Sequence, residues 1–339
     1  MVVNDGIPKT LKVAAQVCFA ALFGCTLLAP NFVFAQQSTA PPTKATSQES
    51  FNTPQEAVQA LIKAAENYDV PSLLKIFGPA GENFISSADP VRDKSKSLEF
   101  AALAHEKNSL TMAPSRPNRA ILVVGNTDWP FPVPLEKKSG KWFFDSSAGR
   151  NEILDRRIGA NELDAIQVCR GFLEAQREYA SSIHDNSGVN QYAQKIISTP
   201  GKQDGLYWKN PDGTPGGPIS EAVARAIEEG YSIDKRSAFH GYYFEVLKGQ
   251  GPAAHLGRLD YVIQGAMIGG FALLAVPAEY RVTGVKTFMI SQDGIVYQKD
   301  LGPNSLAIAE KIELYNPDRT WKRTEDEWPV TIADTTEAK

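Results

Sequence analysis

The apolar positions of the first half follow a helical spacing and then a strand spacing. Apolar residues three and four positions apart predict three helices, at 54–68, 70–77 and 94–107. Thr53 followed by Pro54 is typical of a helix start, because a capping side chain precedes a proline in the first turn. Alternation of apolar and polar residues then predicts three strands, at 119–124, 131–137 and 141–145. Helices followed by antiparallel strands indicate an α+β domain over 51–149.

The second half repeats this order of elements. We expect a charged connector at 150–160 and then a long helix from Asn161 to about Ala180. A shorter helix at 220–229 follows a loop rich in proline and glycine. Strands are predicted at 241–247, 270–276, 285–291 and 295–299. The sequence therefore predicts an α+β fold of two domains, the second over 150–325, each with N-terminal helices packed on an antiparallel sheet, and a polar tail at 326–339.

The N-terminal segment has the pattern of an export signal. Lys9 and Lys12 precede an apolar run, which ends at the small-residue pattern Val33-Phe34-Ala35. We therefore expect a signal peptide at 1–35 and a flexible linker at 36–50, which is rich in Gln, Ser, Thr, Pro and Ala. A competing interpretation is a lipid anchor at Cys25, since Leu22-Phe23-Gly24-Cys25 resembles a lipobox. Either way the sequence predicts a periplasmic or secreted protein with no membrane span after cleavage.

Composition and charge narrow the class of protein. A chain of 339 residues that is 42% apolar and 22% charged is neither disordered throughout nor a polytopic membrane protein. A formal net charge of -4 offers no surplus to neutralise phosphates, which argues against nucleic acid as a partner. Of the three cysteines, only Cys169 would remain after cleavage, so we expect no intrachain disulfide and an inert thiol in the core.

Motifs for chemistry are incomplete. His105-Glu106 begins a zinc-protease string, but Ser109 stands where the second histidine belongs. The glycine patterns that bind phosphates or dinucleotides are also absent from the sequence. Because each of these motifs is incomplete or absent, we assign no catalytic residue, no metal and no cofactor. An enzyme is left open and not favoured. The candidate binding surface consists of Trp129, Tyr207, Trp208 and His240, where a glycan, a small molecule or another protein of the envelope could bind.

Each half resembles a known fold. The helices at 55–77 and the hairpin from Phe131 to Asp145 resemble a nuclear-transport-factor-2-like cone, which implies a cavity for a small molecule. The Asn161-Glu162 helix start, the run at 175–180 and Gly241-Tyr242-Tyr243-Phe244 resemble the head of type IV pilin-like proteins. The chain departs from pilins ahead of Asn161, where a charged segment replaces their apolar half-helix.

Longer strings in the second half point to one family. They are MIGGFAL at 267–273, PAEY at 277–280, TGVKTF at 283–288 and VYQKDLG at 296–302. By these strings the chain is identified as a member of an exported bacterial family, domain of unknown function 2950, which implies export and no assigned activity.

We therefore expect a non-catalytic binding or assembly module of the envelope, in an oligomeric state that the sequence does not indicate. One alternative is a small-molecule enzyme that uses a pocket of the first domain with Asp128, Asp145 or His105. Another is a pseudopilin-like partner of a secretion or pilus system.

Overall fold

Two hydrophobic clusters organise the structure, a computed structural model that describes residues 48–113, 116–232 and 237–325. One cluster is built from residues 51–154 and the other from residues 165–321. All described residues lie in one compact unit, so the division into two domains at residue 150 stays a prediction. The α+β class is confirmed. The predicted signal peptide, most of the linker and the polar tail lie outside the described residues.

The described residues form seven α-helices. They are α1 (Pro54–Glu66), α2 (Val70–Phe77), α3 (Glu82–Ile85), α4 (Pro90–Glu106), α5 (Ser146–Tyr179), α6 (Ser220–Glu229) and α7 (Ser305–Ala309). Aspartates or a threonine cap four of them: the side chains of Thr53, Asp69, Asp89 and Asp145 accept backbone N–H groups at the starts of α1, α2, α4 and α5. None of these helices is long and apolar enough to cross a membrane.

The strands of the first half are β1 (Asn108–Ala113), β2 (Arg116–Val124), β3 (Trp129–Pro130), β4 (Leu135–Lys138) and β5 (Lys141–Phe144). Those of the second half are β6 (Lys195–Ile197), β7 (Gly205–Lys209), β8 (Pro215–Gly216), β9 (Tyr242–Leu247), β10 (Gly249–Gln250), β11 (Leu259–Asp260), β12 (Val262–Ile263), β13 (Ala266–Met267), β14 (Ala272–Pro277), β15 (Lys286–Ser291), β16 (Tyr297–Asp300) and β17 (Lys322–Arg323).

An antiparallel sheet supports the first half. Its strand order is β1-β2-β4-β5, with β3 paired to β2. Helices α1 and α2 pack against β5, and α4 packs against β2. Alternate residues of β2, including Leu122 and Val124, are fully buried beneath these helices, as the period of two in their sequence predicts.

A second antiparallel sheet, in the order β17-β16-β15-β14-β9, supports the second half. Every residue of β14 is buried, because α5 and α7 both pack on it. Cys169 lies on the buried face of α5, and burial raises the pKa of its thiol to about 12, which agrees with the predicted inert cysteine. The small sheet β6-β7-β8 and two short hairpins complete this half.

Helix α5 corrects the predicted connector at 150–160. This segment is helical and lies inside a single 34-residue helix, which starts behind the cap Asp145. Leu154 is buried in the first hydrophobic cluster, while Glu152 and Arg156 form an ion pair one turn apart on the helix surface. Most of the charges that suggest a connector, those of Glu152, Asp155 and Arg156, therefore belong to the exposed face of a helix whose other face packs on the first half.

Candidate functional site

A cavity of about 480 Å³ lies in the first half, between α1, α4, α5 and the first sheet. This volume is within the range of small-molecule sites in proteins. Its apolar wall is formed by Leu61, Leu73, Phe77, Phe84, Phe100, Leu103, Trp129, Phe131 and Ile153. The ring of Phe131 lies 5.1 Å from that of Phe100 and 6.2 Å from that of Trp129, centroid to centroid. Most of the cavity is thus an aromatic and aliphatic surface.

A polar end closes this apolar space. Asp89, Arg92 and Asp93 come from the start of α4, and Arg157 and Asn161 come from the middle of α5. Residues three or four positions apart share one face of a helix, so each helix presents its polar groups together. We call these five residues the polar end of the cavity.

Asp93 and Arg157 form a buried ion pair within the polar end. Their side chains approach to 3.3 Å, and Asp93 also accepts hydrogen bonds from the backbone N–H of Ser87 at 2.6 Å and from its hydroxyl at 3.1 Å. Burial raises the pKa of Asp93, although the charge of Arg157 opposes this effect, and burial lowers the pKa of Arg157. Arg157 donates further hydrogen bonds to the carbonyls of Asn83 and Phe84, which fixes it against the cavity wall.

Asp89 connects the polar end to the second half of the chain. Besides capping α4 through the N–H of Arg92, its carboxylate accepts the N–H of Gly241 at 2.9 Å and lies within 3.0 Å of the hydroxyl of Tyr231. Burial, and then the charge of Asp89, raise the pKa of Tyr231. Asp89 is only 2% exposed, and protein donors occupy both of its carboxylate oxygens.

Arg92 belongs to a second chain of charges beside the cavity. Its Nη2 lies 2.7 Å from Oδ2 of Asp164, and Nδ1 of His240 lies 3.0 Å from the same oxygen. Nε2 of His240 is 3.5 Å from Glu229, and its ring stacks on Phe239. His240 is thus held between two carboxylates behind the polar end and does not line the cavity.

Asn161 has an unusual hydrogen-bond pattern. The residue is 1% exposed, its Nδ2 donates to the carbonyl of Thr283 at 2.9 Å, and its Oδ1 has no partner among the described residues. A buried acceptor without a donor typically costs about 1–3 kcal/mol. Such groups need a physical explanation, and a water or ligand that donates a hydrogen bond would supply one.

The four residues of the predicted binding surface do not lie together. Trp129 lines the cavity, with the guanidinium of Arg156 5.1 Å from its ring, and His240 lies behind the opposite, polar end. Tyr207 is only 4% exposed, which corrects its placement on a surface. Trp208 is half-buried, and its Nε1 donates to Asn210.

The three residues named for an enzyme all lie away from the cavity wall. His105 pairs with Glu66 and Asp128 pairs with Lys107, each at 2.7 Å on the surface, and Asp145 caps α5. Across the part of the chain that the structure describes, no group of three or more His, Cys, Asp or Glu side chains is placed to hold a metal ion.

Sequence reasoning missed every residue of the polar end. One signal was available: Asp89-Pro90 is a cap followed by a proline, which would have started α4 four residues earlier and placed Arg92 and Asp93 on a helix. Arg157 was assigned to the connector. Its position opposite Asp93 depends on the packing of α5, which no local pattern reports.

Comparison with known proteins identifies the family. No curated protein and no solved structure matches the chain, so the cone-like and pilin-like resemblances are not confirmed. The sequence profile of one family, described as "Protein of unknown function (DUF2950)", matches residues 48–324. This match covers most of the chain and agrees with the four strings of the second half, and the protein therefore belongs to the DUF2950 family.

Proposed function

We propose that the protein is an exported, non-catalytic binding protein whose ligand lies in the 480 Å³ cavity of the first half. The observation that carries this proposal is the combination of an aromatic wall with a polar end formed by Asp89, Arg92, Asp93, Arg157 and Asn161. Small-molecule sites are typically apolar spaces with a few fixed polar groups that orient the ligand.

The wall and the polar end favour one ligand chemistry. An apolar body, planar or branched, fits among Phe84, Phe100 and Phe131, where it would replace water against aromatic rings. The charged groups of the polar end already pair within the protein, so a charged ligand group would compete with existing partners. A neutral group that donates a hydrogen bond suits Asn161, whose Oδ1 lacks a donor.

The hydrogen bonds of the two buried carboxylates support binding rather than catalysis. A general acid or base must exchange a proton with the substrate within hydrogen-bond reach. Asp89 and Asp93 instead accept from Tyr231, Gly241, Ser87 and Arg157, and these protein donors hold them in place. Their geometry suits residues that position helices and rigidify the cavity.

Titration with a neutral apolar fluorophore, N-phenyl-1-naphthylamine, tests the cavity. Ala160 is an exposed residue of α5 that lines the cavity, so Ala160→Trp places a large ring at its mouth. We expect the wild-type protein to enhance the fluorescence with a saturating curve, and Ala160→Trp to bind about tenfold more weakly. Asn151→Trp, at an exposed position of the same helix outside the cavity, is the control. Equal binding by both variants would contradict the proposal.

Export is supported by the charged, apolar and small-residue pattern of the first 35 residues. To test export, the full chain is expressed in a bacterium with a periplasm. The cells are then fractionated, and the mass of the intact protein is measured by mass spectrometry. We expect a periplasmic or secreted protein that starts at Gln36. A mass that includes acyl chains on Cys25 would support the lipid-anchor alternative, and an uncut chain in the cytosol would contradict export.

A further inference from the structure

A second cleft, of about 390 Å³, lies in the second half of the protein and differs in chemistry from the cavity. Seven of the eight residues that line it have polar side chains, among them Asp185, Gln191, Tyr192, Gln194, Lys202 and Asp204. Such a surface offers many hydrogen bonds to a polar ligand.

Two glutamines of the cleft are each held by one hydrogen bond to the backbone, one through its amide oxygen and the other through its amide nitrogen. The carboxamide oxygen of Gln191 accepts the N–H of Met267 at 3.2 Å, while the carboxamide nitrogen of Gln194 donates to the carbonyl of Gly265 at 2.7 Å. Because a backbone N–H only donates and a carbonyl only accepts, these contacts define both amide orientations. Gln191 therefore retains a donor and Gln194 an acceptor, neither with a partner among the described residues.

Two more groups of the cleft lack partners in the described part of the chain, the hydroxyl of Tyr192 and the ammonium of Lys202. The carboxylate of Asp204, by contrast, already has hydrogen-bond donors on both oxygens. They accept hydrogen bonds from the backbone N–H of Thr199 at 2.7 Å and from Nζ of Lys195 at 2.8 Å. Lys195 and Lys202 balance Asp185 and Asp204 in charge. The cleft therefore favours neither an anion nor a cation.

From the pre-oriented amides, the free hydroxyl and the balanced charge, we infer that this cleft binds a neutral carbohydrate. The hydroxyl of a sugar both donates and accepts, so adjacent hydroxyls can engage the donor of Gln191 and the acceptor of Gln194 together. Fixed amides lose little conformational entropy on binding, which favours recognition even by a small site. The site is separate from the apolar cavity, and the inference does not depend on the function proposed for it.

Saturation-transfer NMR on the mature protein tests the inference with glucose, N-acetylglucosamine and maltose, and with trialanine as a peptide comparator. We expect transfer to at least one sugar. Gln194→Met and Lys202→Met each remove one polar group of the cleft and should weaken its affinity about fivefold. Lys202 is exposed, so its variant keeps the fold intact. Lys209→Met, at an exposed position of β7 outside the cleft, should bind as the wild type does.

Three results would overturn the inference: no transfer to any of the sugars, transfer to trialanine alone, or equal affinities of Lys202→Met and Lys209→Met. Binding of N-phenyl-1-naphthylamine should be unchanged in all three variants, because that fluorophore reports on the apolar cavity. A failure of the carbohydrate site is thus distinguishable from a failure of the cavity.

Discussion

The hydroxyl of Tyr231 lies 2.9 Å from Oδ2 of Asp89, although the two residues are 142 positions apart in the chain. Both side chains are buried. Asp89 stands at the start of α4, where it lines the cavity, and Tyr231 follows α6 in the second half. This hydrogen bond, with the one from Gly241, ties the polar end of the cavity to the chain that leads into β9.

We predict that Tyr231→Phe lowers the free energy of unfolding by about 1–3 kcal/mol, because it leaves a buried carboxylate without one of its donors. Urea denaturation, followed by circular dichroism, measures the change. Tyr280→Phe is the matched control: that hydroxyl contacts Asp300 on the surface at 3.3 Å, so its loss should change stability by less than about 0.5 kcal/mol. Equal effects of the two variants would show that the buried contact contributes nothing particular.

Three glycines of α5 should respond differently to alanine. Gly159 and Gly171 are exposed, and a Cβ at either position would touch nothing within 4 Å. Alanine at either position should therefore stabilise the protein by about 0.5–1 kcal/mol, because it lowers the backbone entropy of the unfolded chain. At Gly149 a Cβ would lie 2.6 Å from Cα of Val133, so alanine there should destabilise by about 1–3 kcal/mol. Thermal unfolding of the three variants provides the comparison. If 150–160 were an irregular connector and not a helix, Gly159→Ala would not increase the stability of the protein.

Asp204 should make part of the stability depend on acid pH. Burial alone would raise the pKa of this carboxyl, but the hydrogen bonds from Lys195 and Thr199 outweigh burial and lower the pKa to about 2. Since the folded pKa is below the unfolded value of about 3.9, the carboxylate stabilises the protein above pH 4, and this contribution is lost as the pH falls towards 2.

The measurement is the difference in unfolding free energy between wild type and Asp204→Asn. This difference, wild type minus variant, should be about 1 kcal/mol larger at pH 5 than at pH 2.5. Asp260→Asn, at an exposed residue with no hydrogen bond to its carboxylate among the described residues, should show no such pH-dependent difference. If the difference in unfolding free energy between wild type and Asp204→Asn did not change with pH, the lowered pKa of Asp204 would be contradicted.

The periodic elements were predictable because their signals are local. The spacing of apolar residues predicts α1 and α2, with a cap at Thr53 for α1, and the alternation of apolar and polar residues predicts β2. The strands predicted at 270–276 and 285–291 correspond to β14 and β15, which are buried along most of their length and do not alternate in this way. The segment 150–160 was misinterpreted for a physical reason. Most of its charges, those of Glu152, Asp155 and Arg156, lie on the exposed face of α5, whereas Leu154 and Arg157 face the first half.

The candidate site was less predictable, since its residues meet through tertiary packing. Trp129 was selected as an aromatic residue beside prolines and does line the cavity. Tyr207 was selected because it adjoins the loop rich in proline and glycine at 210–218, but its side chain is buried. Nothing local to Asp93 or Arg157 indicates that α4 and α5 bring them to 3.3 Å, so composition and spacing could not reveal this ion pair.

The most direct test of the binding proposal is to identify what the cavity holds in the protein's own cells. The mature protein would be purified from its own cells, denatured and extracted with organic solvent, and the extract analysed by mass spectrometry. We predict one apolar compound with a neutral polar group, recovered in a fixed ratio to the wild type and to Asn151→Trp, and depleted from Ala160→Trp. An extract of the wild type that contains no such compound, or the same yield from Ala160→Trp, would contradict the proposal.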